Sequence, residues 1–96
     1  MIPLRLDHLA QATGATLVDA DGQPVGPDAA EQRLLIDGPV VTDSRECRPG
    51  SLYVARVGEH ADGHAFVGAA REAGAVAALT SRPVTGMAHL VVDDVQ

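Results

Sequence analysis

The chain has 96 residues, a formal net charge of −6, one cysteine and only 2% aromatic side chains. That length holds one small core, built from Ala, Val and Leu because aromatics are nearly absent. The acidic balance argues against nucleic acid or an anionic membrane surface as partner, because binders of those present a basic face.

Cys47 is alone, so no internal disulfide can form. No apolar run approaches a membrane span. The apolar part of the opening Met1-Ile2-Pro3-Leu4-Arg5 is too short for a signal peptide. A cytoplasmic domain is the expectation. A local cluster of donors can still hold a phosphate on such a chain.

Leu6, Leu9, Ala10 and Thr13 fall at helical spacing, Asp7 suits the first turn, and Gly14 stands where a left-handed residue ends a helix. Arg5 is a poor N-cap, so the helix start is left open. Ala15 to Asp19 reads as a short strand. From Asp21 to Arg33 the composition turns to Gly, Pro, Asp, Ala and Gln, an exposed loop or irregular hairpin and the part expected to be least ordered. Leu34-Leu35-Ile36 is a short strand, and Asp37-Gly38-Pro39 a turn. Val40-Val41 is read as the buried end of the next strand.

Thr42 to Ala55 then reads as strand, polar loop, strand. Asp43, Ser44 and Arg45 offer an acceptor, a hydroxyl and a five-donor fork. Pro49-Gly50 signals a turn. Leu52 to Arg56 is a strand, residues 64–73 a helix with Phe66, Val67, Ala69, Ala70 and Ala73 on its apolar face, and Val76 to Thr80 a strand buried on both faces. Together they form a βαβ unit with a right-handed crossover and parallel strands. Met87 to Val92 is a last strand, and Asp93-Asp94 a helix start. The fold class expected is α/β: a small single domain over residues 1–96, with a mixed, partly parallel sheet and an N-terminal helix.

The loop 57–64 leaves the carboxyl end of a strand and enters a helix N-terminus, a usual place for ligands and phosphates in open α/β sheets. His60 and His64 stand four apart with Asp62 between. In a loop that spacing fixes no geometry, and no third ligand completes a set, so no metal site is expected. His8 is expected on a helix surface, and His89 at a strand edge. Cys47, beside Arg45 and Arg48, has neighbours that can lower a thiol pKa, but no base or orienting partner makes it a nucleophile. From the residues alone, Arg45 is a surface ion-pair partner of Asp43 or Glu46, and Ser44 a turn hydroxyl.

Asp43-Ser44-Arg45, Pro49-Gly50, Leu52-Tyr53-Val54-Ala55, Asp62-Gly63-His64-Ala65-Phe66 and Gly74-Ala75-Val76-Ala77 resemble, in that order, the N-terminal domain of the Mur ligases of peptidoglycan precursor synthesis. The resemblance runs from Met1 to Asp94. It implies a substrate-binding domain for the UDP part of UDP-N-acetylmuramoyl-peptide, with Ser44, Arg45, Asp62, Gly63 and His64 at that pocket. The opening, Ile2-Pro3-Leu4 then Leu6-x-x-Leu9-Ala10-x-Ala12-Thr13-Gly14, is similar to the branch that adds D-Ala-D-Ala to the UDP-MurNAc-tripeptide. The resemblance also implies ATP and Mg²⁺ for a whole enzyme. No G-x-x-x-x-G-K-[ST] loop occurs in the chain, so these residues alone are expected to bind without ligase turnover. Two alternatives stay open: the same domain of the ligase adding the third peptide residue, and a non-catalytic nucleotide-binding or interaction module.

Overall fold

A computed structural model describes residues 2–57 and 62–93. The expected loop positions 58–61, with His60, and the expected helix start at Asp94 lie outside the described residues.

Helix α1 (Leu6–Thr13) ends at Gly14, whose φ of 73° places it in the left-handed region, with its N–H on the Ala10 carbonyl. Arg5 gives no side-chain cap. The first turn is instead held from outside, by the Leu6 N–H on the Leu34 carbonyl at 2.8 Å. That bond continues a ribbon that was not anticipated: β1 (Leu4–Arg5) pairs antiparallel with β3 (Leu35–Ile36). Between them lie β2 (Thr16–Val18), a tight turn in which Asp19 Oδ1 accepts from the Asp21 and Gln23 amides, and a 3₁₀ turn at Ala30–Arg33.

The main sheet adds β4 (Val40–Val41), β5 (Leu52–Val54), β6 (Ala77–Thr80) and β7 (His89–Val91), in the order β2-β7-β6-β5-β4. The β4–β5, β5–β6 and β6–β7 pairs are parallel, and β2–β7 is antiparallel, so the sheet is mixed. Helix α2 (Val67–Glu72) joins β5 to β6 after a 3₁₀ turn at Gly63–Phe66. The single helix expected over 64–73 is thus a 3₁₀ entry and a shorter α segment.

Each face of the sheet carries its own apolar cluster. Leu6, Leu17, Ile36, Leu52, Ala77, Ala88 and Leu90 pack on the α1 side. Cys47, Tyr53, Ala55, Val67, Ala70, Ala75, Ala78 and Met87 pack under α2. Central β6 shows the two-sided burial expected of it: Ala77, Ala78 and Thr80 are inaccessible. Burying a Leu or Val contributes about 1.5–3 kcal/mol, so these clusters dominate stability.

Three expectations are corrected. Val40 is 54% exposed because β4 is an edge strand with one face uncovered. His89 is fully buried on the interior strand β7, not at an edge. Its ring joins the Val84 N–H (3.0 Å) to the Met87 carbonyl (2.9 Å), so Nε2 accepts and Nδ1 donates. Burial pushes its pKa down, only partly offset by the Met87 carbonyl. The core is also not purely aliphatic, since Tyr53 heads its fully buried side chains by volume.

Candidate functional site

Strand β4 ends in the polar loop because Asp43 is built to cap it. Its Oδ1 accepts from the Arg45 amide at 2.9 Å, fixing the 3₁₀ turn Ser44–Glu46. The same carboxylate takes Arg45 Nε (3.0 Å) and Nη2 (2.7 Å) side by side. These bonds, the side-chain ones foremost, lower the Asp43 pKa to about 2. One edge of the guanidinium is thus occupied, while the remaining Nη donors face solvent on a side chain 87% exposed.

Cys47 behind this loop is only 2% exposed. Burial pushes its thiol pKa up, and Asp43 adds to the shift. The lowering considered from Arg45 and Arg48 does not occur, because the sulfur faces the core.

The loop forms one wall of a cleft of about 770 Å³, lined by Thr42, Asp43, Ser44 and Arg45, by Tyr53, Arg56 and Val57 of the β5 strand and its exit, and by Gly63, Phe66 and Ala69 of the following turn and helix. It opens at the carboxyl ends of parallel strands β4 and β5, where such sheets bind ligands. Two arginines, one of them paired with the Asp43 carboxylate, the hydroxyl-bearing Thr42, Ser44 and Tyr53, and the half-exposed Phe66 line it together. That set of groups suits a flat base with an attached anionic chain.

Of the five residues singled out in the sequence, Ser44, Arg45 and Gly63 line this cleft; Asp62 and His64 do not. Asp62 caps the 3₁₀ turn through the His64 amide (3.0 Å), takes His64 Nδ1 on the same oxygen (2.6 Å) and holds Arg82 Nη2 on the other (2.8 Å). These bonds, the His64 backbone amide first, then its ring and Arg82, hold Asp62 ionised far below the usual carboxylate range.

The His64 side chain is 1% exposed, and its Nε2 accepts the Ser81 N–H at 3.0 Å. The proton therefore sits on Nδ1, toward Asp62. Asp62, His64 and the Ser81 hydroxyl (3.3 Å from Nε2) follow the order of a hydrolytic triad. Here the Nε2 lone pair is already committed to a backbone amide and the ring is closed off from solvent, so the trio is a bracket rather than a nucleophile with its base.

Gly63 joins this bracket to the sheet. Its N–H bonds the Arg56 carbonyl at 2.7 Å, its carbonyl accepts the Tyr53 hydroxyl at 2.9 Å, and a Cβ at this position would stand 2.7 Å from the Arg56 nitrogen. Sequence reasoning missed Arg56, Phe66, Ser81 and Arg82. Arg56 follows directly on the β5 apolar run, and Ser81-Arg82 on that of β6. Asking which side chains leave the carboxyl ends of the strands would have found Arg56, Ser81 and Arg82.

No helix among the described residues is long and apolar enough to cross a membrane. No group of three His, Cys, Asp or Glu among them is placed to hold a metal ion.

The chain is 39% identical over 94 residues to the UDP-N-acetylmuramoyl-tripeptide--D-alanyl-D-alanine ligase of Mycobacterium leprae, which covers 98% of this chain and 17% of that enzyme. It is 49% identical over 73 residues to the UDP-N-acetylmuramoyl-L-alanyl-D-glutamate--2,6-diaminopimelate ligase of Chlorobaculum tepidum, covering 76% of this chain and 13% of that enzyme. A crystal structure of MurF from Acinetobacter baumannii superposes with a TM-score of 0.74 at 30% identity, over 99% of this chain and 19% of that one. The chain therefore spans under a fifth of the length of these relatives. The Mur ligase family, catalytic domain, is matched by residues 39–93, from the turn before β4 to the end of the described chain. On that match, which takes in both walls of the cleft and the whole Asp62–His64–Ser81 bracket, the chain belongs to the Mur ligase family.

Proposed function

We propose that residues 1–96 form the N-terminal domain that holds the UDP moiety of a UDP-N-acetylmuramoyl-peptide, in a ligase that adds D-Ala-D-Ala to the tripeptide substrate. The observation that carries this reading is the convergence of Ser44, Arg45, Arg56, Gly63 and Phe66 on one cleft at the carboxyl ends of β4 and β5. Arg45 and Arg56 supply the positive charge a diphosphate needs, Phe66 an apolar ring for the base, and the Ser44 hydroxyl a further donor. The relation to the D-alanyl-D-alanine ligase spans 98% of the chain, against 76% for the diaminopimelate ligase. That difference favours the former substrate.

In this reading the whole enzyme is cytoplasmic and uses ATP and Mg²⁺ to form an amide bond. Residues 1–96 contribute binding and orientation of the nucleotide end and are inactive alone. No residue here is assigned to ATP or Mg²⁺: the chain lacks a G-x-x-x-x-G-K-[ST] loop and, among its described residues, a metal-ligand cluster.

The test is an amide NMR titration of the chain with UDP and with UDP-MurNAc-tripeptide. Saturable shifts at residues 42–45, 56–57, 63 and 66 are expected. A folded protein with no shifts at millimolar ligand would sink the reading.

A further inference from the structure

The Asp62–His64–Ser81–Arg82 bracket joins two connections that the sheet alone leaves separate. Asp62 and His64 belong to the link from β5 to α2, and Ser81 and Arg82 to the link from β6 to β7. Within the bracket the contacts are short and directional: 2.6 Å from His64 Nδ1 to Asp62, 3.0 Å from the Ser81 N–H to His64 Nε2, and 2.8 Å from Arg82 to Asp62.

None of the four lines the cleft. Their neighbours do: Gly63 lies between Asp62 and His64, and Phe66 ends the 3₁₀ turn that Asp62 caps. Gly63 is pinned from its other side by the Tyr53 hydroxyl and the Arg56 carbonyl, both of cleft-lining residues. The cleft wall formed by Arg56, Gly63 and Phe66 is therefore held between the end of β5 and the end of β6. Remove the bracket and Gly63 keeps its bonds to Tyr53 and Arg56, but the tie to the end of β6 is lost.

We propose that Asp62, His64, Ser81 and Arg82 are positioning residues for the nucleotide cleft: without touching the ligand, they set where Gly63 and Phe66 stand, with His64 as the link across the two connections. This rests on the reading of the cleft as the UDP site. The family motif Asp62-Gly63-His64 then divides into two functions, with Gly63 at the cleft wall and its two neighbours locking that wall to β6.

The two ring nitrogens do different jobs, so two substitutions separate them. A glutamine at 64 can reach the Nε2 position and accept the Ser81 N–H, while an asparagine can donate only toward Asp62.

The experiment is UDP titration of the 96-residue chain by amide NMR, for the wild type and for His64→Ala, His64→Gln, His64→Asn, Arg82→Ala and Ser44→Ala. The amide dispersion of each free variant reports that it is folded. Positioning networks of this kind change binding by roughly 2- to 30-fold. His64→Ala is expected toward the upper end and Arg82→Ala toward the lower. His64→Gln should recover most of the loss and His64→Asn little, because, of the two short bonds of the His64 ring, to Asp62 and to the Ser81 N–H, the latter is the one that crosses between connections.

Arg82 is half-exposed at the surface, so its variant still decides the matter if His64→Ala fails to fold. Wild-type affinity in Arg82→Ala, or in a folded His64→Ala, overturns the proposal while leaving the cleft reading intact, as does failure of glutamine to rescue. If the wild type itself shows no saturable UDP binding, the cleft reading falls and the positioning role falls with it. Loss in Ser44→Ala alone would mark direct contact without positioning.

Discussion

The two ends of β5 use the same few residue types for opposite purposes. At its start, Pro49-Gly50-Ser51 runs between two other backbones. Gly38 N–H bonds the Gly50 carbonyl at 2.9 Å, and Gly50 N–H bonds the Gly74 carbonyl at 3.1 Å. A Cβ on Gly38 would stand 2.8 Å from the Gly50 carbonyl carbon, and one on Gly74 2.7 Å from the Pro49 nitrogen. At Gly38 and Gly74 that end is backbone against backbone, with no room for a Cβ.

At the other end, glycine again allows contact, of Gly63 with Arg56, but around it stand guanidinium groups, hydroxyls and a half-exposed ring. A continuous sequence signature is thus two devices. Its Pro-Gly part seats the strand, and its Asp-Ser-Arg part, with the residues after β5, faces the cleft. Stability and binding should separate along the length of one strand.

The strongest way to break that comparison is Gly74→Ala. Gly74 has a φ of +114° as well as the close Pro49 contact. Strain of that kind costs about 1–3 kcal/mol and a backbone clash adds to it. A loss of about 3 kcal/mol or more in urea unfolding is expected, with unchanged UDP affinity in the fraction still folded. Weakened affinity without lost stability would contradict the division.

Tyr53→Phe probes the middle of the strand, where the hydroxyl reaches from the core to the Gly63 carbonyl. Loss of one such bond costs about 1 kcal/mol, and the Gly63 resonance should move with it.

His89 sharpens the stability side. Its folded pKa is depressed, so between its folded value and the ordinary value near 6.5 the unfolded chain binds the extra proton. Stability should therefore be full above about pH 7 and fall as the pH drops through about 6.5. Urea midpoints at pH 7.5 and 5.5 test this, and a flat profile would refute it.

Smallest in stability is Arg45→Ala, expected to leave the urea midpoint close to that of wild type because the pair with Asp43 is at the surface. The same change should weaken UDP binding by about tenfold, or 1.4 kcal/mol. Asp43's own contribution is present above its unfolded value near 4. It goes as the pH falls through about 2, so it leaves neutral-pH measurements untouched.

Much of this architecture was legible because it is written locally. The helical spacing of Leu6, Leu9, Ala10 and Thr13 with Gly14 behind it gave α1, and the unbroken apolar run Val76 to Leu79 gave the central strand. What failed depended on neighbours distant in the chain. The exposure of Val40 follows from β4 standing last in the sheet, which no local pattern encodes. Strand β1 exists because Leu35-Ile36 lies beside it. His89 is buried because the connection 84–87 supplies both its partners.

At the cleft, Ser44, Arg45 and Gly63 were found through their place in a recurring signature. Asp62 and His64 were grouped with them for the same reason. A residue that lines a cleft and one that holds the loop beside it look identical when only the order of residues is known.

Cys47 carries a consequence of a different kind. It lies in the apolar cluster under α2 that also holds Tyr53 and Ala55, and its burial pushes its thiol pKa up and keeps it protonated. A thiol in that state cannot meet a water-borne alkylating reagent until the α2 layer lifts. The labelling rate of this single cysteine is thus a clock for that opening, read by mass at one atom and requiring no engineered probe. Run with and without UDP, the same clock would report whether filling the cleft also closes the layer behind it.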